Sequence, residues 1–442
     1  MIANGTVVTM DNSKHIFKKG TIAIDDGKIV GVGNSDDMRA YKADNYIDAK
    51  GNLVLPGFVN CHTHTQSFTT NCRGLGVEGW GGLYTKSMPN KELTPEEDRH
   101  YLSLACILGD IRGGITTEAD QDFGEPAVAK AIEKVKMRGH LSQYFYSLDL
   151  QATKIKGYTF SKEQEEKTFK SALSFIDDWD GKAEGRITCD LAPHATDSCT
   201  PELLKNVREE ANKRGKRITI HVSQMLEEVK EIKKRYNKTP VEYLRDNDIL
   251  GSDCYAAHCI HLTDEDIRLL AKTDTKICHC PLWFARRGLS AQLANWVKSG
   301  IAVGLGLDSD EDMIRYMQVA HIAAAFRDPT VGFGGGFKAY DMLKFATINS
   351  AIVIGKEKEI GSLEVGKKAD VIVINFNKPH LTPSIDPIAD LVYYGKGSDV
   401  DTTIIDGKIV YAEGEIKTIN EKEVLLKAQV AGERAFSRSQ EN

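Results

Sequence analysis

The stretch that decides the fold of this chain is residues 54–64, Val-Leu-Pro-Gly-Phe-Val-Asn-Cys-His-Thr-His. An apolar run broken at Pro56-Gly57 resumes and delivers two histidines, His62 and His64, two positions apart. Residues i and i+2 of a β-strand point to the same face, so both imidazoles can reach one metal ion. Because 12 histidines in 442 residues give about 0.3 such pairs by chance, the pair needs support from the rest of the chain.

Composition and charge narrow the class of protein. The chain has 442 residues, 41% hydrophobic and 27% charged, which is an ordinary globular composition, and its length suggests either two or three domain units or one large barrel plus an accessory domain. A net charge of −6 argues against nucleic acid or an anionic membrane surface as the main partner. No signal peptide is visible, no apolar run is long enough to cross a bilayer, and the odd set of nine cysteines indicates reduced thiols. We therefore expect a cytoplasmic protein.

The two ends of the chain share a β-rich texture. Asp-Gly turns at Asp26-Gly27 and Asp406-Gly407 lie between short apolar runs, which is typical of β-hairpins. We expect residues 1–55 and 358–420 to form one small accessory β-sandwich domain, and residues 421–442 to form a terminal helix.

Between the ends, over residues 56–357, strand-like runs alternate with amphipathic helical stretches. This alternation predicts an α/β fold, a (β/α)₈ TIM barrel. The predicted strands are 54–60, 114–119, 141–149, 187–192, 217–222, 254–259, 275–279 and 301–307. The predicted helices include 94–112, 126–138, 161–178, 201–214, 225–235 and 264–272.

Histidines and one aspartate lie at the ends of these strands, where barrel enzymes place their functional groups. One strand-end histidine is most often a satisfied core residue, but six of them with an aspartate are hard to explain by packing. The residues are His62, His64, His194, His221, His258, His279 and Asp308.

Their chemistry predicts a metal centre. His62, His64, His221 and Asp308 offer three imidazoles and one carboxylate, and one divalent ion there, most readily zinc with iron as the alternative, lowers the pKa of bound water toward ~7. Asp308 is then a candidate base. His258 would orient the water or ligate as well, and the predicted roles of His194 and His279 are substrate binding or oxyanion stabilisation.

Motifs along nearly the whole chain resemble the amidohydrolase superfamily, in its branch of cytosine, guanine and adenosine-type deaminases and s-triazine hydrolases. The matching segments are 55–64, 72–74, 113–117, 192–195, 220–223, 256–259, 304–308 and 361–370. The resemblance implies the same ligands, His62, His64, His221 and Asp308, with His258 beside the water. It also implies a terminal accessory β-domain and a homodimer. Arg73, in the second segment, is a predicted substrate contact.

Three departures from the family pattern bear on the reaction. Gln224 stands where these deaminases carry a glutamate that shuttles a proton, and an amide transfers no proton at neutral pH. After His279 the chain has Cys280 where the family often has asparagine. Trp283 and Arg286 follow, and we predict that they contact the substrate. The alternative is that Trp283 packs within the loop and Arg286 faces solvent. The acidic run 308–312 either repels anions or begins a helix, and we favour the helix start.

The sequence therefore predicts a metal-dependent hydrolase that deaminates a nitrogen heterocycle by attack of metal-bound hydroxide, with Asp308, His258 and Gln224 as catalytic residues. Two alternatives stay open because of Gln224. One is a hydrolase of a different bond, such as an aryl chloride, N-alkyl, urea or cyclic amide bond. The other is a metal-retaining protein of little activity. In each case the partner is a small molecule.

Overall fold

A computed structural model describes residues 1–67, 82–328 and 336–441 of the chain. Strands from both ends of the chain form one nine-stranded sheet, separate from the rest of the molecule, in the order β18-β17-β16-β15-β5-β1-β2-β3 with β4 beside β1. Its strands are β1 (Ile2–Val8), β2 (Ile16–Asp25), β3 (Lys28–Asn34), β4 (Ile47–Asp48), β5 (Leu53–Pro56), β15 (Val371–Ile374), β16 (Val400–Ile405), β17 (Lys408–Ala412) and β18 (Glu415–Ile416).

Both predicted hairpins are present in this sheet. The turn at Asp26-Gly27 joins β2 to β3, and the turn at Asp406-Gly407 joins β16 to β17, each as an antiparallel pair. β5 bridges the two halves of the sheet, since it pairs in parallel with β1 and antiparallel with β15. The prediction of an accessory β-domain made from both termini is thus supported by the pairing itself.

The middle of the chain contributes parallel strands that close into a ring. The sheet running from β6 to β10 is joined to the sheet running from β11 to β14 by bridges at Leu191–Ile218 and Thr63–Asp308. The strands are β6 (Phe58–Thr63), β7 (Ile115–Asp122), β8 (Arg138–Phe145), β9 (Ile187–Cys189), β10 (Ala192–Pro193), β11 (Ile218–Val222), β12 (Cys254–His258), β13 (Lys276–His279) and β14 (Val303–Leu305).

Helices fill most connections between these strands. Helix Pro201–Arg214 begins as its sequence predicts, with Thr200 accepting a hydrogen bond from the Leu203 backbone N–H, and it ends at Gly215, whose φ is +63°. The α-helices within the described residues are Met88–Glu92, Glu96–Arg112, Glu125–Val135, Leu150–Lys156, Lys162–Trp179, Pro201–Arg214, Leu226–Tyr236, Pro240–Asp246, Asp264–Lys272, Pro281–Ala285, Leu293–Lys298, Met313–Arg327, Ala339–Phe345, Ile348–Val353, Pro387–Tyr394 and Glu421–Glu441.

The prediction of one continuous strand over 54–60 is wrong. Gly57 separates β5, in the terminal sheet, from β6, in the barrel. The Gly57 backbone N–H donates to the Asp370 carbonyl at 3.0 Å, and a Cβ at this position would lie 2.2 Å from Oγ1 of Thr116. The close approach requires glycine at the crossing between the two parts.

Two further features bear on the predictions about membrane crossing and cysteine oxidation. Among the described helices, none combines the length and apolarity that a membrane crossing requires. The eight cysteines within the described ranges are all buried free thiols, as the sequence predicts.

Candidate metal centre

Three histidines from opposite sides of the ring meet at its carboxyl-terminal rim. The atoms with which His62, His64 and His221 can ligate lie within 4.8 Å of one another, and all three side chains are buried. Burial lowers the pKa of His62 and His64 well below the usual value and that of His221 to about 4. The rings are therefore neutral near pH 7, which is the form that binds a metal ion.

The Nδ1 atom of each ring is fixed by a neighbour. Gln121 holds two of them, because its backbone carbonyl lies 2.6 Å from Nδ1 of His64 and its side-chain amide lies 2.9 Å from Nδ1 of His62. The carbonyl of His194 lies 2.6 Å from Nδ1 of His221. The Gln121 atom nearest Nδ1 of His62 is Nε2, and exchanging the nitrogen and oxygen of this amide, which have the same shape, lets Nδ1–H of His62 donate to the oxygen. All three Nδ1–H groups then donate, and each Nε2 keeps a lone pair for a metal ion.

An unpartnered nitrogen atom also indicates that these histidines and Asp308 fit a divalent ion. Nε2 of His62 is buried and has no hydrogen-bond partner in the described chain, although burying a polar atom without a partner costs free energy. Three imidazoles and one carboxylate form a donor set typical of zinc sites that keep a position open for water.

Asp308 supplies the carboxylate beside the histidines. Its Oδ1 lies 3.7 Å from Nε2 of His64, and its Oδ2 lies 3.9 Å from Nε2 of His258. Burial raises the pKa of Asp308 to about 6, against the opposing charges of Lys91 and Arg287. The group is mainly a carboxylate at neutral pH, yet its affinity for a proton is well above that of an exposed aspartate.

The backbone at this rim is held in an uncommon conformation. His258 has φ +76° and Asp308 has φ +60°, both in the left-handed region that non-glycine residues seldom adopt. Asp308 is fixed there by its neighbours on β6, since its N–H donates to the His62 carbonyl and its own carbonyl accepts from the His64 N–H. Strain of this kind concentrates at functional sites.

Gln224 lies two residues after the end of β11, the strand that carries His221. Its Nε2 is buried and finds no hydrogen-bond partner among the described residues. Two acids that could replace the missing glutamate, Glu227 and Glu228, lie one turn beyond Gln224. Glu227 is exposed, whereas the Glu228 carboxylate accepts the backbone N–H groups of Ser223 at 2.9 Å and Gln224 at 2.8 Å. Glu228 thus anchors the turn that carries Gln224.

The two remaining strand-end histidines line the same rim. The His194 ring lies 5.1 Å from that of His221 and its Nδ1 lies 3.1 Å from Oγ of Ser198. His279 packs edge-on against Trp296, and its Nδ1 is buried with no partner in the described ranges. Burial lowers the pKa of His194 well below its usual value and that of His279 to about 3.

The predicted substrate contacts after β13 have protein partners. The Arg287 guanidinium lies 3.9 Å from the centre of the Trp283 ring, and Arg286 pairs with Asp310 at 3.1 Å. Asp310 also pairs with Arg315, while Asp312 caps helix Met313–Arg327, so the acidic run does begin a helix. Trp283 and Arg286 as substrate contacts stay predictions, and Arg73 lies outside the described residues.

Sequence reasoning missed Gln121, Tyr144 and Lys91. The Tyr144 hydroxyl lies 3.4 Å from Nδ1 of His64, and Lys91 forms a buried ion pair with Asp122 at 3.2 Å. Gln121 and Tyr144 stand at the ends of β7 and β8, so applying the strand-end rule to every polar residue would have found them.

Comparison with known proteins agrees with this geometry. A 5-methylthioadenosine/S-adenosylhomocysteine deaminase of Moorella thermoacetica is 36% identical over 435 residues, covering 96% of each chain. A 5'-deoxyadenosine deaminase of Methanosarcina acetivorans is 34% identical over 446 residues, covering 99% of each. The crystal structure of an adenosine deaminase from Xanthomonas campestris with bound zinc has a TM-score of 0.88 at 21% identity, covering 99% of this chain and 98% of that one, which supports the fold.

The profile of the Amidohydrolase family matches residues 53–410, the segment that carries every residue of the candidate centre. The resemblance seen in the motifs and the prediction of a hydrolase acting on carbon–nitrogen bonds are confirmed. The chain belongs to the amidohydrolase family.

Proposed function

We propose that this protein is a metal-dependent deaminase of adenine nucleosides with a modified 5' position. The observation that carries the proposal is the three-histidine cluster with Asp308, found in a chain 36% identical to a 5-methylthioadenosine/S-adenosylhomocysteine deaminase over 96% of its length. His62, His64, His221 and Asp308 would hold the ion. A divalent ion held there supplies Lewis-acid activation of water near neutral pH.

The chain's own groups complete the reaction around the 6-amino carbon of the adenine ring. Asp308 takes the proton of the attacking water and then delivers it to the departing amino group, which leaves as ammonia, since its raised pKa of about 6 leaves it ionised but basic at neutral pH. His258, buried and neutral beside Asp308, hydrogen-bonds the oxygen as the ring carbon becomes tetrahedral. The Gln224 amide hydrogen-bonds a ring nitrogen without transferring a proton to it.

Measuring ammonia release tests the substrate class. The zinc-loaded protein is given 5'-methylthioadenosine, S-adenosylhomocysteine, 5'-deoxyadenosine and adenosine, with cytosine as a base of a different class. We expect ammonia and the matching hypoxanthine nucleoside from the adenine compounds. No turnover by fully metal-loaded protein would refute the proposal.

A matched pair of variants tests the centre itself. His62→Ala is expected to lose both the metal ion and ammonia release, because His62 supplies the unpartnered Nε2. His15→Ala, a change at an exposed histidine just before β2 that pairs with Asp11, should keep both. Elemental analysis of the parent protein identifies the ion as zinc or iron.

Gln224 favours one second candidate, hydrolysis of a different bond on a nitrogen heterocycle. A chloride leaves without being protonated, so an amide suffices where an amine leaving group profits from an acid. Chloride release from a chlorinated triazine or purine, with no ammonia from any adenine nucleoside, would select this candidate.

We also propose the assembly expected from the sequence. Residues 1–55 and 358–420 form a β-sandwich around their own core, which includes Ile2, Ile22 and Val371, while residues 56–357 form the barrel and 421–442 the terminal helix. The protein is a homodimer, and static light scattering measures this directly.

A further inference from the structure

Cys280 lies beside the metal centre and has no part in the proposed reaction. It directly follows β13, immediately before helix Pro281–Ala285, and its thiol is fully buried. The ligand set expected from the family resemblance does not include it. A buried thiol next to neutral imidazoles and a carboxylate is nevertheless a strong donor for a borderline or soft divalent ion.

Four potential donors converge around this thiol. The ligating atoms of His62, His258, Cys280 and Asp308 lie within 4.8 Å of one another, and all four residues are buried. Nε2 of His62 and Nδ1 of His258 have no hydrogen-bond partners in the described chain. Tetrahedral zinc with bonds of ~2.0–2.3 Å separates its ligand atoms by roughly 3.3–3.8 Å, so a contraction of about 1 Å completes the site.

We propose that Cys280 is a thiolate ligand, and that His62, His258, Cys280 and Asp308 form a second position for the divalent ion. Coordination replaces the S–H bond by a sulfur–metal bond, and the proton leaves to solvent. The set takes zinc, cobalt or cadmium in preference to magnesium or manganese, because only soft and borderline ions favour thiolate.

The two positions exclude each other. His62 belongs to both sets, and its Nδ1 is held by the Gln121 amide, so Nε2 alone is available. A single ion therefore occupies either the position with His64 and His221 or the position with Cys280. This inference rests on the proposed metal site, but it does not depend on deamination.

Cobalt spectroscopy of the full chain tests the ligand. The cobalt-loaded parent protein should show an intense thiolate-to-cobalt charge-transfer band in the near ultraviolet. Cys280→Ser should still bind cobalt, through His64 and His221, but without the band. Cys189→Ser is the matched control: it makes the same change at another buried free thiol, on β9, and it should keep the band.

A second variant tests the independence of the new position. His221→Ala breaks the first set and leaves the second complete, so it should bind cobalt and retain the thiolate band. No band in the parent protein, a band in Cys280→Ser, or no cobalt in His221→Ala would each overturn the proposal.

The affinities for cadmium and manganese test the thiolate ligand without the use of cobalt. Cys280→Ser should lose at least ~10-fold in cadmium affinity and change by no more than ~2-fold for manganese; equal losses for both ions would contradict a thiolate ligand. Ammonia release is followed on the same samples. A protein with the thiolate band but no turnover of adenine nucleosides would refute the proposed function and leave this inference standing.

Discussion

Gln224 bears on the last step of the proposed reaction, the loss of the amino group, because an amine leaves more easily when an acid protonates the ring that carries it. We expect Gln224→Glu to raise kcat/KM for 5'-methylthioadenosine by ~10²-fold or more, which is the usual contribution of a general acid. Steady-state ammonia release measures the effect.

A control separates proton transfer from hydrogen bonding at this position. Gln224→Met keeps the volume but removes both functions, and it should lower kcat/KM. If Gln224→Glu also lowers kcat/KM, the glutamine is suited to the native reaction. The result would then favour the second candidate function, in which the leaving group needs no proton.

Gln121 is predicted to set metal affinity through the histidines it holds. Gln121→Leu removes the amide beside Nδ1 of His62 while the backbone carbonyl still holds His64. Loss of such a partner typically costs ~10–100-fold in metal affinity. Chelator competition for zinc measures this loss, and Gln318→Leu, whose amide donates to the Gly395 carbonyl far from the site, should leave the affinity unchanged.

At the scale of elements, a buried carboxyl pair joins helix Glu96–Arg112 to β7. Asp110 and Glu118 are both fully buried, and burial raises the pKa of both carboxyl groups, that of Asp110 to about 7, with the charge of Asp110 raising that of Glu118 further. The folded protein therefore holds protons that the unfolded chain releases near its ordinary pKa values of 3.8 and 4.5. The contribution of these two carboxyl groups to the free energy of unfolding is fully present below the unfolded-chain pKa values. It is lost as the pH rises through the raised pKa values of the folded protein.

We therefore predict that the melting temperature falls from about pH 5.5 to about pH 8, and that Glu118→Gln makes this fall shallower. Other buried acids contribute, since burial also raises the pKa of Asp120 to about 8, so the slope should not vanish. Glu209→Gln, an exposed change on helix Pro201–Arg214, should leave the profile as it is. An unchanged slope in Glu118→Gln would contradict the role of the pair.

Element boundaries show where sequence patterns reach their limit. The hairpins and helix Pro201–Arg214 follow local rules of turns and caps, so their prediction succeeds. The strand expected over 54–60 is divided because Gly57 meets Thr116, a contact between residues far apart in sequence. No local pattern contains that contact.

At the scale of the whole molecule, a buried ion pair links the barrel to the terminal sheet. Arg138, at the start of β8, donates from Nε and Nη2 to the Asp370 carboxylate at 2.8 and 3.0 Å. Arg138→Leu leaves that carboxylate buried without its cation, so we expect a loss of about 3–5 kcal/mol in the free energy of unfolding. Urea denaturation measures the loss.

The control for this prediction is an exposed pair of the same kind. Arg39 and Asp36 form an ion pair with side chains 77% and 66% exposed, so Arg39→Leu should change the free energy of unfolding by no more than ~0.5 kcal/mol. Equal effects of the two substitutions would mean that the Arg138 pair does not hold the two parts together.

The sequence by itself determined the chemistry and the order of the parts. Histidine spacing, strand-end position and alternating strands and helices depend on local geometry, and they place neutral imidazoles and a carboxylate at one rim. Only the tertiary structure decided which neighbours orient those groups. Gln121 contacts two histidines, Glu228 accepts the backbone N–H groups of Ser223 and Gln224, and the Cys280 thiol lies within 4.8 Å of ligating atoms of His62 and Asp308. Each of these facts depends on contacts between residues distant in the chain, and such contacts exist only once the ring of strands has closed.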